Sequence, residues 1–371
     1  MLEKPDIQEE KISACLQESY GLHVLRLTFL PLGADVNAAV YRAVAERVAD
    51  GVTGGERVYF VKLRRGLFDE IAVTLPKFLS DQGIEQIIAP IATTTGRLWA
   101  TLGDFTMILY PFVEGHNGYE ITLSDRHWGA LGTALKRIHT AVVPPVLLGR
   151  IPQERYSPQW RESVKRFLVS TEGEKYADPV AVKVALLLQT NRAEIENLIA
   201  RTEQLALALE AQTLEFVVCH ADLHAGNVLL TGDDTLSIVD WDNPILAPKE
   251  RDLMFIGGGL MGNGRTPQEE EILFYATYGP TSIDWRALAY YRYERIIQDI
   301  AAYCEQLLLS DAGGEDREQS FYYLASNFLP DSVLTIAYQS DKPGHPLGAQ
   351  ALWPAMNPHS WIGSEGVFPL R

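Results

Sequence analysis

Cysteine is scarce. Cys15, Cys219 and Cys304 are three, widely separated and odd in number. Such a set supplies neither a disulfide framework nor the spacing of a metal site, so a reducing compartment is expected. Positive charge is also short. Lys and Arg number 32 against 48 Asp and Glu, a formal net charge of −16. A nucleic-acid partner, which needs a basic footprint, is excluded on that balance. No apolar run reaches the roughly 20 residues of a membrane span, so no membrane partner is expected. Residues 1–11 are polar and acidic where a secretory signal is basic and then apolar. The expectation is a cytoplasmic globular protein whose acidity suits a cationic small molecule.

Against that background, residues 216–244 stand out: F-V-V-C-H-A-D-L-H-A-G-N-V-L-L-T-G-D-D-T-L-S-I-V-D-W-D-N-P. Phe216-Val217-Val218 has the β-branched character of a buried strand. Val228-Leu229-Leu230 and Leu236-Ser237-Ile238-Val239 read as two short strands joined by a turn over residues 231–235. If that hairpin closes at Asp233 and Asp234, Asn227 and Asp240 face each other at its open end. Asp222 lies on the loop entering that end. Two carboxylates and an amide oxygen then converge, a hard-oxygen set suited to Mg²⁺. A carboxylate beside the metal can orient a hydroxyl and accept its proton.

H-A-D-L-H-A-G-N followed by I-V-D-W-D resembles the catalytic and metal loops of the aminoglycoside phosphotransferases, which share the protein-kinase fold. The protein-kinase pattern is H-R-D-x-x-x-x-N and then D-F-G. Here the spacing from Asp222 to Asn227 is kept, and Asp240-Trp241-Asp242 replaces D-F-G. The resemblance implies ATP and Mg²⁺, with Asp222 as catalytic base and Asn227 and Asp240 as metal ligands. The plain alternative is a polar hairpin with a solvated end.

The rest of the chain reads as an α+β protein in two lobes. An amphipathic helix over residues 7–20 precedes strands at 23–32, 39–44, 58–63 and 106–110. After them the pattern is mostly helical. Ser124 is placed to cap one helix. Asn191 with Glu194 makes a capping-box-like start for another that runs to Leu209. Within the resemblance, residues 1–115 form a small antiparallel-sheet nucleotide lobe with a hinge at 110–115. Residues 116–340 form a larger, mainly helical lobe, and 341–371 a Pro- and Gly-rich tail. Lys62, at the end of an apolar strand, corresponds to the lysine on the α- and β-phosphates. Glu70 is its expected carboxylate partner, with Asp69 second. The carbonyl of Pro111 and the amide of Val113 correspond to the adenine-reading pair. The turn at residues 33–37 has one glycine and leaves open whether it is a hairpin turn or a phosphate contact. Asp252, in R-D-L, is expected to brace the catalytic loop. Residues 257–262 match G-x-G-x-x-G in letters, but no convincing strand–helix unit flanks them, so they read as a loop.

Asp242, Glu294 and Asp299 are candidates for pairing with substrate amines. For Glu294 and Asp299 the alternative is ion pairs with Arg292 and Arg295. Three local stretches, at 222–229, 247–259 and 290–301, resemble the spectinomycin phosphotransferases within the family. They imply phosphorylation of a hydroxyl on an aminocyclitol antibiotic. The rivals are a metabolic kinase of the same fold acting on choline, homoserine or methylthioribose, a non-catalytic nucleotide-binding protein, and an acidic scaffold using the aromatic tail.

Overall fold

The structure is a computed structural model and describes residues 4–32, 37–49, 52–53, 55–173, 176–232, 234–262, 264–310, 314, 316–330 and 332–341. The turn at 33–36, parts of the 49–56 connection and the tail from 342 onward lie outside the described residues. In chain order the first elements are α1 (Glu9–Tyr20), β1 (Leu22–Leu30), β2 (Ala38–Ala49), β3 (Val52–Thr53), β4 (Arg57–Arg65), α2 (Ile71–Asp81), β5 (Ala100–Leu102) and β6 (Phe105–Pro111). There follow β7 (His116–Asn117), α3 (Asp125–His139), α4 (Pro145–Leu148), α5 (Gln159–Ser170), α6 (Pro179–Thr190) and α7 (Arg192–Glu210). Then come β8 (Val217–Cys219), a 3₁₀ turn (Ala225–Asn227), β9 (Val228–Leu230), β10 (Leu236–Ile238) and β11 (Ile245–Ala247). Helices α8 (Glu250–Leu253), α9 (Pro267–Tyr278), α10 (Trp285–Leu308), α11 (Asp316–Ser326) and α12 (Val333–Ser340) complete it.

The fold is α+β and two-lobed, as the strand and helix patterns predict. In the first lobe the antiparallel order is β1-β2-β4-β6-β5, with β3 paired to β2. Alternation along β4 builds its core: Tyr59, Val61 and Leu63 are buried with Ile12, Leu16, Tyr41, Met107 and Leu109. The period of two puts Lys62 and Arg64 together on the opposite face. Helix α2 belongs to the sheet lobe in sequence but packs Ile71, Leu75 and Leu79 into the core of the helical lobe. Strand β7 pairs with β9, so the chain has already entered the second lobe five residues after β6 ends.

Helix starts follow local chemistry where it is strong. Ser124 and His127 form a reciprocal cap at α3, and Thr266 and Glu269 form one at α9. The expected capping box at Asn191 is not formed. Helix α6 ends immediately before it, and the Asn191 amide donates to Leu187 O at 2.9 Å instead.

The central hairpin corrects the expected register. β9 and β10 pair Leu229 with Ser237 and Val228 with Ile238. Asn227 is therefore level with Val239, whose N–H donates to its carbonyl at 3.0 Å, and not with Asp240. The strands close at the expected ends of the turn but one residue out of the expected register: Thr231 N–H reaches Thr235 O at 3.0 Å, and Asp234 takes the left-handed conformation, φ 54°. Left-handed geometry near the end of the loop is the signature of three-residue hairpins. Among the described residues no helix is long and apolar enough to cross a membrane.

Candidate active site

The loop carrying Asp222 is built around a buried carboxylate. Asp252 is 0% exposed and accepts His220 N–H at 2.9 Å, Ala221 N–H at 2.7 Å and the His139 ring at 3.1 Å. Burial alone would raise its carboxyl, but the His139 contact, the nearby His220 and the Ala221 N–H hold it below the ordinary value. Ala221 sits at φ 71°, a left-handed conformation that costs an alanine roughly 1–3 kcal/mol. The Asp252 bonds hold it there. Asp252 thus braces the loop, as expected.

His220 ties the two loops of the motif together. Its Nε2–H donates to Val239 O at 2.9 Å, which leaves Nδ1 to accept Asp222 N–H at 3.2 Å. Its ring packs edge-on against the buried Trp241 at 4.6 Å. Asn227 grips the same loop, its amide donating to the Asp222 carbonyl at 2.8 Å. That bond uses the amide nitrogen and leaves the side-chain oxygen as the acceptor available to a cation.

Lys62 crosses from the sheet lobe to this hairpin. Its Nζ lies 2.7 Å from Asp240 Oδ1 and 2.8 Å from Asp242 Oδ1. Asp240 reaches it because its backbone is left-handed, φ 63°, which re-aims the side chain one residue past the paired register. Burial would lower the Lys62 ammonium, but the two carboxylates raise it well above the usual range. The carboxylates split. Burial would raise Asp240, but Lys62 holds it low, whereas burial and its charged neighbour Asp240 raise Asp242 against the pull of Lys62. Arg64, two residues along β4, pairs with the other oxygen of Asp242.

Asp222 points elsewhere. Its Oδ1 is paired with Arg295 of α10, and its Oδ2 is 3.7 Å from His224 Nε2. Burial would raise its carboxyl, but Arg295, His224 and His220 bring it below the ordinary value. Burial also lowers the His224 imidazole to about 4, so it is neutral at pH 7. Its ring is stacked with Tyr119.

Several expectations need correction. Glu70 is not on Lys62. It is 44% exposed in its side chain, precedes the first turn of α2 and pairs with Arg150 at 3.2 Å. Asp69 is not on Lys62 either; its carboxylate accepts Ile71 N–H at 3.0 Å. Glu294 does not face a cleft. It is buried and paired with Arg161 of α5 at 2.8 Å, a contact inside the helical lobe and not the Arg292 pair considered above. Asp242 lies with Lys62 and Arg64 and not beside Asp299. Asp299 is paired with Arg295 at 3.0 Å, so it does sit behind Asp222. Pro111 ends β6 opposite Tyr59, and Val113 follows on the segment crossing between lobes.

Arg64 and Arg150 have no role in the sequence reading, and Arg295 enters it only as an ion-pair partner for Glu294 or Asp299; its pairing with Asp222, 73 residues away, is new. Arg64 carried a signal, since i and i+2 on a strand share a face. The other two are contributed across long separations. A cavity of about 510 Å³ lies beside this cluster, lined by Arg64, Phe68, Glu70, Arg150, Asp242 and Asn243. Lys62, Arg64 and Arg150 bring three cations to this region, each paired with a carboxylate that a polyphosphate can replace. The oxygens of Asn227, Asp240 and Asp242 also fit a hard divalent cation, and Lys62 Nζ already shows that the two carboxylates share one positive charge.

The profile of the phosphotransferase enzyme family matches residues 52–291. Among solved structures, a spectinomycin phosphotransferase in complex with ADP and spectinomycin is 37% identical, covering 91% of this chain and 99% of its own, with a TM-score of 0.80. An AMP-bound complex of spectinomycin phosphotransferase is 35% identical, covering 90% and 99%, with a TM-score of 0.76. An amicoumacin kinase, 17% identical over 86% of this chain and 93% of its own at a TM-score of 0.54, shares the fold. A search of the curated proteins finds no match.

Proposed function

The chain belongs to the phosphotransferase enzyme family, and we propose that it transfers the γ-phosphoryl group of ATP to a hydroxyl of an aminocyclitol antibiotic, with spectinomycin as the acceptor. The observation that carries this reading is the Lys62–Asp240–Asp242 cluster, with the Asp222 carboxylate near enough to Asp240 for their charges to repel, in a chain 37% identical to a spectinomycin phosphotransferase over 91% of its length.

In this reading the sheet lobe and the helical lobe meet after Gly115, with adenine read at the carbonyl of Pro111 and the amide of Val113. Lys62, with Arg64 beside it, holds the phosphates. Asn227, Asp240 and Asp242 would hold Mg²⁺, which when bound neutralises phosphate charge. The acceptor oxygen attacks the γ-phosphorus in line, and the bond from that phosphorus to the β,γ-bridging oxygen breaks as ADP leaves. The hydroxyl proton passes to the Asp222 carboxylate. A loose transition state asks little of the base beyond orientation, so Asp222 acts mainly by placing the hydroxyl. Asp299, behind Asp222, adds to the negative charge that draws a cationic substrate. An ATP-dependent enzyme with three free, buried cysteines belongs in the cytoplasm.

The test is ADP release with spectinomycin, other aminoglycosides, choline, homoserine and methylthioribose as acceptors. Turnover highest on spectinomycin, with the product phosphorylated on a hydroxyl by mass spectrometry, is the expected result. Turnover on choline, homoserine or methylthioribose with none on spectinomycin would replace the antibiotic by a metabolic substrate.

A further inference from the structure

We propose that Arg295 is a positioning residue for the transfer: it fixes one carboxylate oxygen of Asp222 so that the other faces the acceptor hydroxyl. The inference rests on Asp222 being the base, as read above, and adds a residue that neither the motif nor the expected metal set contains.

The backbone of the catalytic loop is held on every side, but those bonds do not settle how the carboxylate is turned. Asn227 and His220 bind the main chain of Asp222, and Asp252 binds the two residues before it. The terminal torsion of an aspartate is broad and roughly two-fold, so a carboxylate on a fixed loop still rotates. Its side chain is 39% exposed and would do so freely in water. Arg295 removes that freedom. One guanidinium nitrogen pairs with Asp222 Oδ1, and Nε lies 3.0 Å from Asp299 Oδ1, one helical turn along α10. The guanidinium also lies over the buried Phe255 ring, 5.9 Å from its centroid. A planar cation hydrogen-bonded to one carboxylate, ion-paired with a second and lying over a ring has little freedom to follow a rotating partner.

What remains is Oδ2. Its polar neighbours are Asn227 Nδ2 at 3.5 Å and His224 Nε2 at 3.7 Å, both longer than a good hydrogen bond. Oδ2 is therefore the oxygen with capacity to accept from a substrate hydroxyl. Because Arg295 is on Oδ1, it does not occupy the place of the acceptor. The trio Asp222–Arg295–Asp299 keeps a net negative charge, so it still attracts a cationic substrate.

The experiment measures kcat and KM for spectinomycin and ATP in Arg295→Met, Arg295→Lys, Asp299→Asn, Asp222→Asn and the Asp222→Asn/Arg295→Met double variant. Loss of positioning predicts a fall in kcat of about 100-fold in Arg295→Met, with KM for ATP unchanged. Arg295→Lys, which keeps the charge without the planar geometry, is expected to recover about 10-fold of that loss. The double variant is expected to be no slower than Asp222→Asn, since Arg295 acts only through that carboxylate. A wild-type kcat in Arg295→Met overturns the proposal, as does a lowered antibiotic KM at unchanged kcat. If Arg295→Met does not fold, Arg295→Lys and Asp299→Asn carry the same decision: undiminished kcat in both refutes it. Wild-type turnover in Asp222→Asn would instead refute the assignment of the base, which separates the two failures.

Discussion

At one end of the site Lys62 sits between Asp240 and Asp242, and at the other Arg295 sits between Asp222 and Asp299. Each cation is shared by two carboxylates, and in each pair one carboxyl is held low while the other is raised by burial. The difference is in what the cations are attached to. Lys62 reaches from the sheet lobe to carboxylates 178 and 180 residues away in the helical lobe. Arg295 and Asp299 share one helix, and Asp222 lies on a loop packed against the same lobe. The first cluster must re-sort whenever phosphates or a metal enter, because a lysine on a single flexible stem can leave its partners. The second has no reason to move. One end is arranged for exchange and the other for fixed geometry, as phosphoryl transfer requires: charge that can be taken up, and an acceptor that stays in line.

The comparison can be broken by substitution. Asp222→Ala is expected to have the largest effect, a fall in kcat of about 10³-fold with nucleotide affinity nearly kept, measured by steady-state kinetics and titration calorimetry. Weakened nucleotide binding there would mean that the two ends are not separate. Asp252→Ala should come next. It leaves the N–H groups of His220 and Ala221 without their buried acceptor, so unfolding free energy should drop by about 3 kcal/mol in denaturant titration. An unchanged midpoint would show that the loop is held by other contacts. Asp240→Ala should weaken Mg²⁺-dependent nucleotide binding by about 100-fold, on the order of 3 kcal/mol, and leave the affinity for antibiotic alone. The smallest effect is expected at Glu70. An exposed ion pair with Arg150 is worth about 0–1 kcal/mol, so Glu70→Gln should change kcat/KM by less than about 5-fold. A hundredfold loss would place Glu70 on Lys62 in the nucleotide-bound enzyme and sharpen the account of exchange at that end.

Residue patterns alone determined the core strands and the hairpin, because these depend on periodicity and on contacts a few residues apart; the two lobes and the brace at Asp252, whose bonds span 31, 32 and 113 residues, were legible only through the family resemblance. The spacing of Asp222, Asn227 and Asp240 is local in this sense, and even with the one-residue register error Asn227 binds the Asp222 main chain and Asp240 comes near enough to Asp222 for their charges to interact. Partner choice was different. Glu70 and Asp69 were the nearest carboxylates downstream of Lys62, yet Asp240 and Asp242 took it. Glu294 and Asp299 are five positions apart on one helix, about 140° apart around its axis, so they cannot face the same way. Nothing along the chain says which of them meets the catalytic loop. Only the packing of α10 against its neighbours decided that, burying Glu294 on Arg161 and placing Asp299 behind Asp222. A charge selects among distant partners by which faces the folded lobes bring together, and that is a property of the assembled core rather than of any segment in it.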